Sequence, residues 1–316
     1  MVIALNLLKI IVGFIFLIKG ADFFVDGAAS IAKKLGVPEL VIGLTIVAFG
    51  TSAPEAAVSI NAALTGNNGI SIGNVIGSNI MNVLLILGIT SIIKALPVKR
   101  ATVKVDIPVM IVATITMVAW GMVGGKLTRV TGIVFLVALV SYTLYLLWYS
   151  KNTNSEGEGE GIKMVGPFLI PIFVLGGLLV IILGSRIAVD GASHIAEMFG
   201  VSNRIIGLTI VAFGTSLPEL MTSITAARKG SVDIAIGNIV GSNLFNILFI
   251  LGITSTIIDL PYLAEGADFT IDGFVALGTA ILLFLLVAKH KRLGRKGGII
   301  MVVSYAAYFA YLVIQK

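Results

Sequence analysis

The chain contains no cysteine and only two histidines, His194 and His290. The first absence excludes disulfides, thiolate metal sites and a cysteine nucleophile, and leaves the redox compartment unmarked. The histidines fall in separate loop or interface stretches, so each is expected as a surface or capping residue rather than a metal ligand. Charge is scarce too. Asp, Glu, Lys and Arg make up 12% of the 316 residues against 57% hydrophobic, with a mean hydropathy of +1.06. That deficit lies far outside the soluble range and marks an integral membrane protein. The N-terminus lacks a basic stretch and a small-residue cleavage site, so residues 3–19 are expected to form a first spanning helix rather than a signal peptide. The net charge of +6 does not indicate nucleic acid, because the basic residues sit in short loops beside apolar runs. Nothing supports soluble enzyme chemistry.

What the chain does have, it has twice. Gly50-Thr51-Ser52-Ala53-Pro54-Glu55 recurs 164 positions later as Gly214-Thr215-Ser216-Leu217-Pro218-Glu219. The same offset relates Gly20, Asp26, Gly27 and Gly36 to Gly184, Asp190, Gly191 and Gly200. It relates Gly73-Asn74, Gly77-Ser78-Asn79 and Asn82 to Gly237-Asn238, Gly241-Ser242-Asn243 and Asn246, and Leu87–Ser91 to Leu251–Ser255. A register held that long is an internal duplication.

Ten apolar runs are long enough to cross a ~30 Å hydrocarbon core: 3–20, 38–63, 71–95, 107–124, 130–149, 165–184, 202–227, 234–258, 271–288 and 299–315. Five fall in each half. An odd number of spans per copy turns the second copy upside down, so an all-α fold of two inverted-topology five-helix repeats is expected. The repeats occupy 1–149 and 164–316, joined by a linker at 150–163. With the N-terminus outside, the loops on the inner face carry 16 of the 22 Lys and Arg residues, which places both termini outside and the linker in the cytoplasm. The linker holds Glu156, Glu158 and Glu160 between glycines and has no apolar periodicity. It is expected to be flexible, since three carboxylates on a glycine string make a poor Ca2+ site. Tyr142, Tyr145, Trp148 and Tyr149, with Tyr305, Tyr308 and Tyr311, are expected as interfacial aromatics.

The duplicated motif puts a helix-breaking proline and a carboxylate where lipid tolerates neither unless they line a cavity. On a continuous helix Thr51 and Ser52 would flank Glu55. Pro54 has no N–H to offer the Gly50 carbonyl, so acceptors near Ala48–Gly50 should be freed, and Pro218 should do the same near Ala212–Gly214. The third and eighth spans each carry a polar stripe, Asn74-Ser78-Asn82 and Asn238-Ser242-Asn246. Carboxylate, hydroxyl and carbonyl oxygens are the ligand set of a hard cation such as Ca2+ or Na+. No basic residue lies at the centre of these spans to neutralise the glutamates. Asp26 and Asp190 are weaker candidates, for which capping or interfacial packing is as good a reading.

At these residues the chain resembles the calcium/cation antiporter superfamily and, within it, the Na+/Ca2+ exchanger family of prokaryotic and archaeal type. The paired GTSxPE and GSNxxN motifs carry the resemblance, which extends over essentially the whole ten-span layout. Proton-coupled relatives typically have a G-N-x-x-E core instead. The resemblance implies a central Ca2+ site from Glu55 and Glu219 with the carbonyls of Thr51 and Thr215. It implies flanking Na+ sites from the carbonyls of Ala48 and Ala212 with Ser52, Ser216, Ser78 and Ser242, and places Asn82 and Asn246 at the middle of the cluster. Potassium-dependent members carry an aspartate where this chain has Asn246, which argues against K+ co-transport. The expected activity is therefore electrogenic antiport of Ca2+ against about three Na+ at the cell membrane, with spans one and six as a sliding gate. The partners are the two ions and the lipid bilayer, no cofactor is implied, and a monomer is expected. A Ca2+/H+ antiporter and a cation channel are the alternatives.

Overall fold

The computed structural model describes residues 2–66, 68–153, 162–200, 210, 212–264 and 267–314. In chain order the helices are α1 (Val2–Leu35), α2 (Glu39–Thr51), α3 (Ala53–Leu64), α4 (Gly69–Ile93), α5 (Thr102–Gly124), α6 (Arg129–Lys151), α7 (Ile172–Met198), α8 (Ala212–Thr215), α9 (Leu217–Lys229), α10 (Val232–Ile257), α11 (Thr270–Ala288) and α12 (Arg295–Ile314). Among the described residues eight are long and apolar enough to cross a membrane, and the pair α2 and α3, bent by 49° at its break, adds a ninth if it forms one span. The remaining expected span, 202–227, falls partly outside the described residues, as do most of the linker and its three glutamates. The first span was expected to end at residue 20, yet α1 runs on to Leu35, because Gly20 and Gly27 are spent on helix packing rather than on a stop.

That packing joins the two copies. A Cβ on Gly13 would meet Gly184 and Ala188, one on Gly20 would meet Gly177 and Ile181, and one on Gly27 would meet Val174. Numbers rise along α1 as they fall along α7, so these equivalent helices run antiparallel, with glycines letting the backbones touch.

The interior is made by α4 and α10. α10 is buried almost throughout and α4 over most of its length, whereas α12 is largely exposed. Gly237 and Gly241 bring the α10 backbone against Leu40, Gly43, Leu44 and Ala48 of α2, which is what the small-xxx-small pair is for.

Short strands tie the ends together: β1 (Leu96–Pro97), β2 (Lys126–Leu127), β3 (Leu260–Pro261), β4 (Leu263–Ala264), β5 (Ala267–Asp268) and β6 (Arg292–Leu293), pairing β1 with β6, β2 with β3 and β4 with β5. The β4–β5 hairpin accounts for a change of register. The offset of 164 that holds to Ser91 and Ser255 becomes 166 beyond the hairpin, where Gly132 packs on Gly252 and its counterpart Gly298 packs on Gly88. Two side-chain pairs keep that second register. Tyr142 donates to Asp106 Oδ1 at 2.8 Å and Tyr308 to Asp272 Oδ1 at 2.7 Å, each pair 36 residues apart. These two tyrosines therefore join neighbouring helices instead of serving only as interfacial aromatics.

Candidate functional site

Pro54 and Pro218 each sit in the first turn of a helix, α3 and α9, where a missing N–H costs nothing. The residue before each helix leaves helical geometry, Ser52 at ψ 6° and Ser216 at ψ 3°. The break therefore falls between the threonine and the glutamate, and Thr51 and Glu55 do not share one continuous helix. The serines serve the opposite copy. Ser52 Oγ donates to Glu219 Oε1 at 3.0 Å and Ser216 Oγ to Glu55 Oε1 at 3.3 Å. Sequence spacing placed each hydroxyl beside the carboxylate of its own motif. The tertiary fold exchanges them, because the bent segments meet face to face.

All four of these side chains are 0–1% exposed. Thr51 donates to Asn238 Oδ1 at 2.9 Å and lies 3.5 Å from Ser242 Oγ, so the first motif touches the polar stripe of α10. Thr215 lies beside the Glu55 carboxylate. Ser78 is buried on α4, one turn before Asn82. Ala48 is buried, and its carbonyl accepts the Ser52 backbone N–H at 3.1 Å and lies 3.4 Å from the Thr51 hydroxyl. α8 begins at Ala212. The Gly214 carbonyl, expected to be freed by Pro218, instead accepts the Ser185 hydroxyl. A side chain from α7 took the place of the missing N–H.

The asparagines build the next layer. Asn79 and Asn243 exchange hydrogen bonds between α4 and α10, each Nδ2 reaching the other's main-chain carbonyl at 3.3 and 3.1 Å. Their Oδ1 atoms accept from Asn82 and Asn246, both at 3.0 Å: Asn82 Nδ2 on Asn243, and Asn246 Nδ2 on Asn79. Asn82 and Asn246 thus spend their donors on this cross-link and keep their carbonyl oxygens unspent. Each also opens a wider π-helical turn, Asn82–Leu87 and Asn246–Leu251, a local form often found at functional sites. Asn74 and Asn238 hold the glutamate main chains. Asn74 Nδ2 donates to the Glu55 carbonyl and to Ser59, and Asn238 Nδ2 to the Glu219 carbonyl and to Ser223. Asn79, Asn243, Ser59 and Ser223 were absent from the sequence-derived set. Their signal was recurrence at the 164 offset, which marks positioning residues as strongly as ligands.

What remains is a set of oxygens without donors. Glu55 Oε2, Glu219 Oε2, Asn82 Oδ1 and Asn246 Oδ1 are buried and have no hydrogen-bond partner among the described residues. Each is an acceptor, and leaving such oxygens buried without a partner costs several kcal/mol unless a proton or a cation meets them. Among the described residues no group of three or more His, Cys, Asp or Glu gathers at any point, this pair of carboxylates included.

Asp26 and Asp190 take part differently. Asp26 is buried and pairs with Lys229 Nζ at 2.8 Å, and Asp190 is half exposed and pairs with Lys9 Nζ at 2.7 Å. Both are ion pairs rather than helix caps. His194 Nδ1 lies 2.8 Å from the Asp190 carbonyl, on the surface as expected.

A buried, acceptor-lined site between two broken helices in a multispan membrane protein defines an ion-carrying membrane protein. The sequence profile of the sodium/calcium exchanger proteins matches residues 5–148 and 169–314, and the chain belongs to that family. It is 37% identical over 308 residues to the putative antiporter CaxA of Alkalimonas amylolytica, covering 95% of this chain and 96% of that one. It is 33% identical over 349 residues to the sodium/calcium exchanger MaX1 of Methanosarcina acetivorans, covering 98% and 99%. The solved structure of the sodium-calcium exchanger NCX_Mj soaked with zero Na+ and Ca2+ superimposes with a TM-score of 0.85 at 35% identity, over 98% of this chain and 99% of that one.

Proposed function

We propose that this protein exchanges Ca2+ for Na+ by alternating access, with Glu55 and Glu219 providing the charge for Ca2+. The observation that carries the reading is the set of four unpaired buried oxygens, two from carboxylates and two from asparagines. The two carboxylates match the charge of one Ca2+. The Ser52, Ser216, Ser78 and Ser242 hydroxyls, with the carbonyls of Ala48, Ala212, Thr51 and Thr215, supply neutral oxygens for Na+. The names of MaX1 and NCX_Mj, both sodium/calcium exchangers, support the choice of ions. A stoichiometry of about three Na+ follows from the resemblance, and makes the cycle electrogenic.

Two five-helix repeats of inverted topology, 1–149 and 164–316, underlie this mechanism, and the antiparallel packing of α1 on α7 supports them. The membrane orientation places both termini outside. The return of the chain after the linker onto α1, where the Lys163 N–H reaches Asp26 at 3.4 Å near Lys229, supports grouping these cations on one face. The protein works as a monomer.

The test is 45Ca2+ uptake into proteoliposomes with an imposed Na+, K+ or H+ gradient. Uptake driven by outward Na+ alone is the expected result. Uptake driven only by a pH gradient would replace this reading with Ca2+/H+ antiport, and uptake that needs no counter-ion gradient would make the protein a channel.

A further inference from the structure

The duplication builds the same small device at two places. β1 pairs antiparallel with β6, and β2 with β3. Arg295 Nε donates to the Ile92 carbonyl at 3.2 Å beside the first pair, and Arg129 Nε to the Thr256 carbonyl at 3.1 Å beside the second. The backbone is left-handed just before β6 and just before β2, at Lys291 (φ 47°) and Gly125 (φ 67°). β1 precedes α5 and β2 follows it. A straight helix of that length is about 35 Å long, so the two devices lie at opposite ends of the spans.

The backbones match but the charges do not. Residues 94–104 and 289–296, brought together by β1 and β6, hold nine Lys and Arg and no acid. The matched segments 258–268 and 123–130 hold two basic residues and three acidic ones. Lys94 stands where the other copy has Ile258, and Lys291 where it has Gly125. Ala95 stands where it has Asp259, the residue that neutralises Lys126 at 2.7 Å. A lysine in left-handed geometry is strained where glycine is not, yet the charge is kept there. Lys94, Arg100, Lys104, Lys289, Lys291, Arg292, Arg295 and Lys296 are all exposed. Of the nine, Lys99 alone is ion-paired among the described residues, with Asp233 at 2.6 Å.

We propose that the β1–β6 end of the molecule is a docking platform for the headgroups of anionic phospholipids in the surrounding bilayer. The cations lie at the ends of spanning helices, where lipid phosphates stand, and clustered Lys and Arg at that depth attract anionic headgroups. Arg100 and Arg292 supply the planar donor forks that grip a phosphate. The β2–β3 end, with the same backbone and compensated charge, is the internal control. The inference is independent of which ions are exchanged.

The experiment presents detergent-purified protein with an equimolar mixture of phosphatidylglycerol and phosphatidylcholine of identical acyl chains and counts bound lipids by native mass spectrometry. The parent is expected to retain phosphatidylglycerol preferentially. Lys94→Ile, Arg100→Gln, Lys291→Gly and Arg292→Gln combined should lower that preference by at least about tenfold, while Lys126→Gln at the opposite end leaves it unchanged. Lys94→Arg with Lys291→Arg keeps the charge and should keep the preference. The platform is overturned if the parent shows no preference, if the fourfold variant retains it, or if Lys126→Gln or the arginine pair removes it equally.

Discussion

Each site glutamate commits Oε1 to a serine of the other copy and leaves Oε2 open, and Asn82 and Asn246 leave their amide oxygens open in the same way. Charge and shape are therefore separable at this site. Glutamine keeps the acceptor that Ser216 or Ser52 needs and removes the negative charge. Glu55→Gln or Glu219→Gln is expected to leave the helices and the thermal unfolding midpoint close to the parent. Either change should weaken Ca2+ transport a hundredfold or more, about 3 kcal/mol, the usual cost of removing one partner of a buried charge pair. 45Ca2+ flux on reconstituted protein of verified fold measures it, and flux near the parent level would remove these residues from the Ca2+ site. Sequence spacing singled out both carboxylates as candidates but set each beside the serine of its own motif, since the spacing of a motif says nothing about what faces it across the bundle.

Among the elements, the contrast between Asp26 and Asp190 shows how the copies diverge. Asp190 of α7 is held by Lys9 of α1, inside one helix pair, and both side chains are substantially exposed. Asp26 of α1 is held by Lys229 at the end of α9, the helix that carries Glu219, with side chains 5% and 18% exposed. This second bridge ties α1 to the site helix. Breaking one partner of so buried a pair leaves a bare charge. Lys229→Met should therefore lower stability by about 3 kcal/mol, whereas Asp26→Asn added to it should recover most of the loss. The equivalent change Lys9→Met, at an exposed pair, should shift the midpoint little. Thermal unfolding of the four proteins in one detergent decides it. Equal losses for Lys9→Met and Lys229→Met would mean that burial is not what matters. Residue 229 corresponds to Thr65 in the first copy, so the repeat pattern alone pointed away from this pair.

At the scale of the whole molecule the two halves interlock. α1 lies along α7, α2 packs into the glycines of α10, and strand pairs β1–β6 and β2–β3 each take one strand from either half. The halves therefore need no covalent connection to hold their geometry. Deleting Asn154–Glu160 is expected to leave exchange within about twofold of the parent, with rates in proteoliposomes as the readout. A selective loss of transport in folded protein would assign the linker a regulatory role. The neutral Asn82 and Asn246 bear on the cycle as well. With only two carboxylates, a Ca2+-loaded site is neutral and one loaded with three Na+ carries a single positive charge. A membrane potential should then bias exchange by about 2.3 kcal/mol per 100 mV, with inside-negative potential favouring Na+ entry and Ca2+ exit. A valinomycin-clamped potential that leaves Na+-driven Ca2+ flux unchanged would make the cycle electroneutral.

The linear sequence was enough for the membrane class, the duplication, the break near each proline and the choice of two carboxylates as candidates. All of these rest on local chemistry: apolar runs that need lipid, a ring that cannot donate, an acid with no base in reach along its helix. The tertiary structure alone decided which serine serves which glutamate and that Asn79 and Asn243 cross-link the two central helices. It also decided that Lys229 reaches Asp26 and that Lys291 lies beside Val98, whose N–H donates to the Lys291 carbonyl at 2.8 Å. Each of these contacts joins residues more than 150 positions apart. Such contacts depend on how two antiparallel copies cross, and periodicity within a helix carries no record of the crossing.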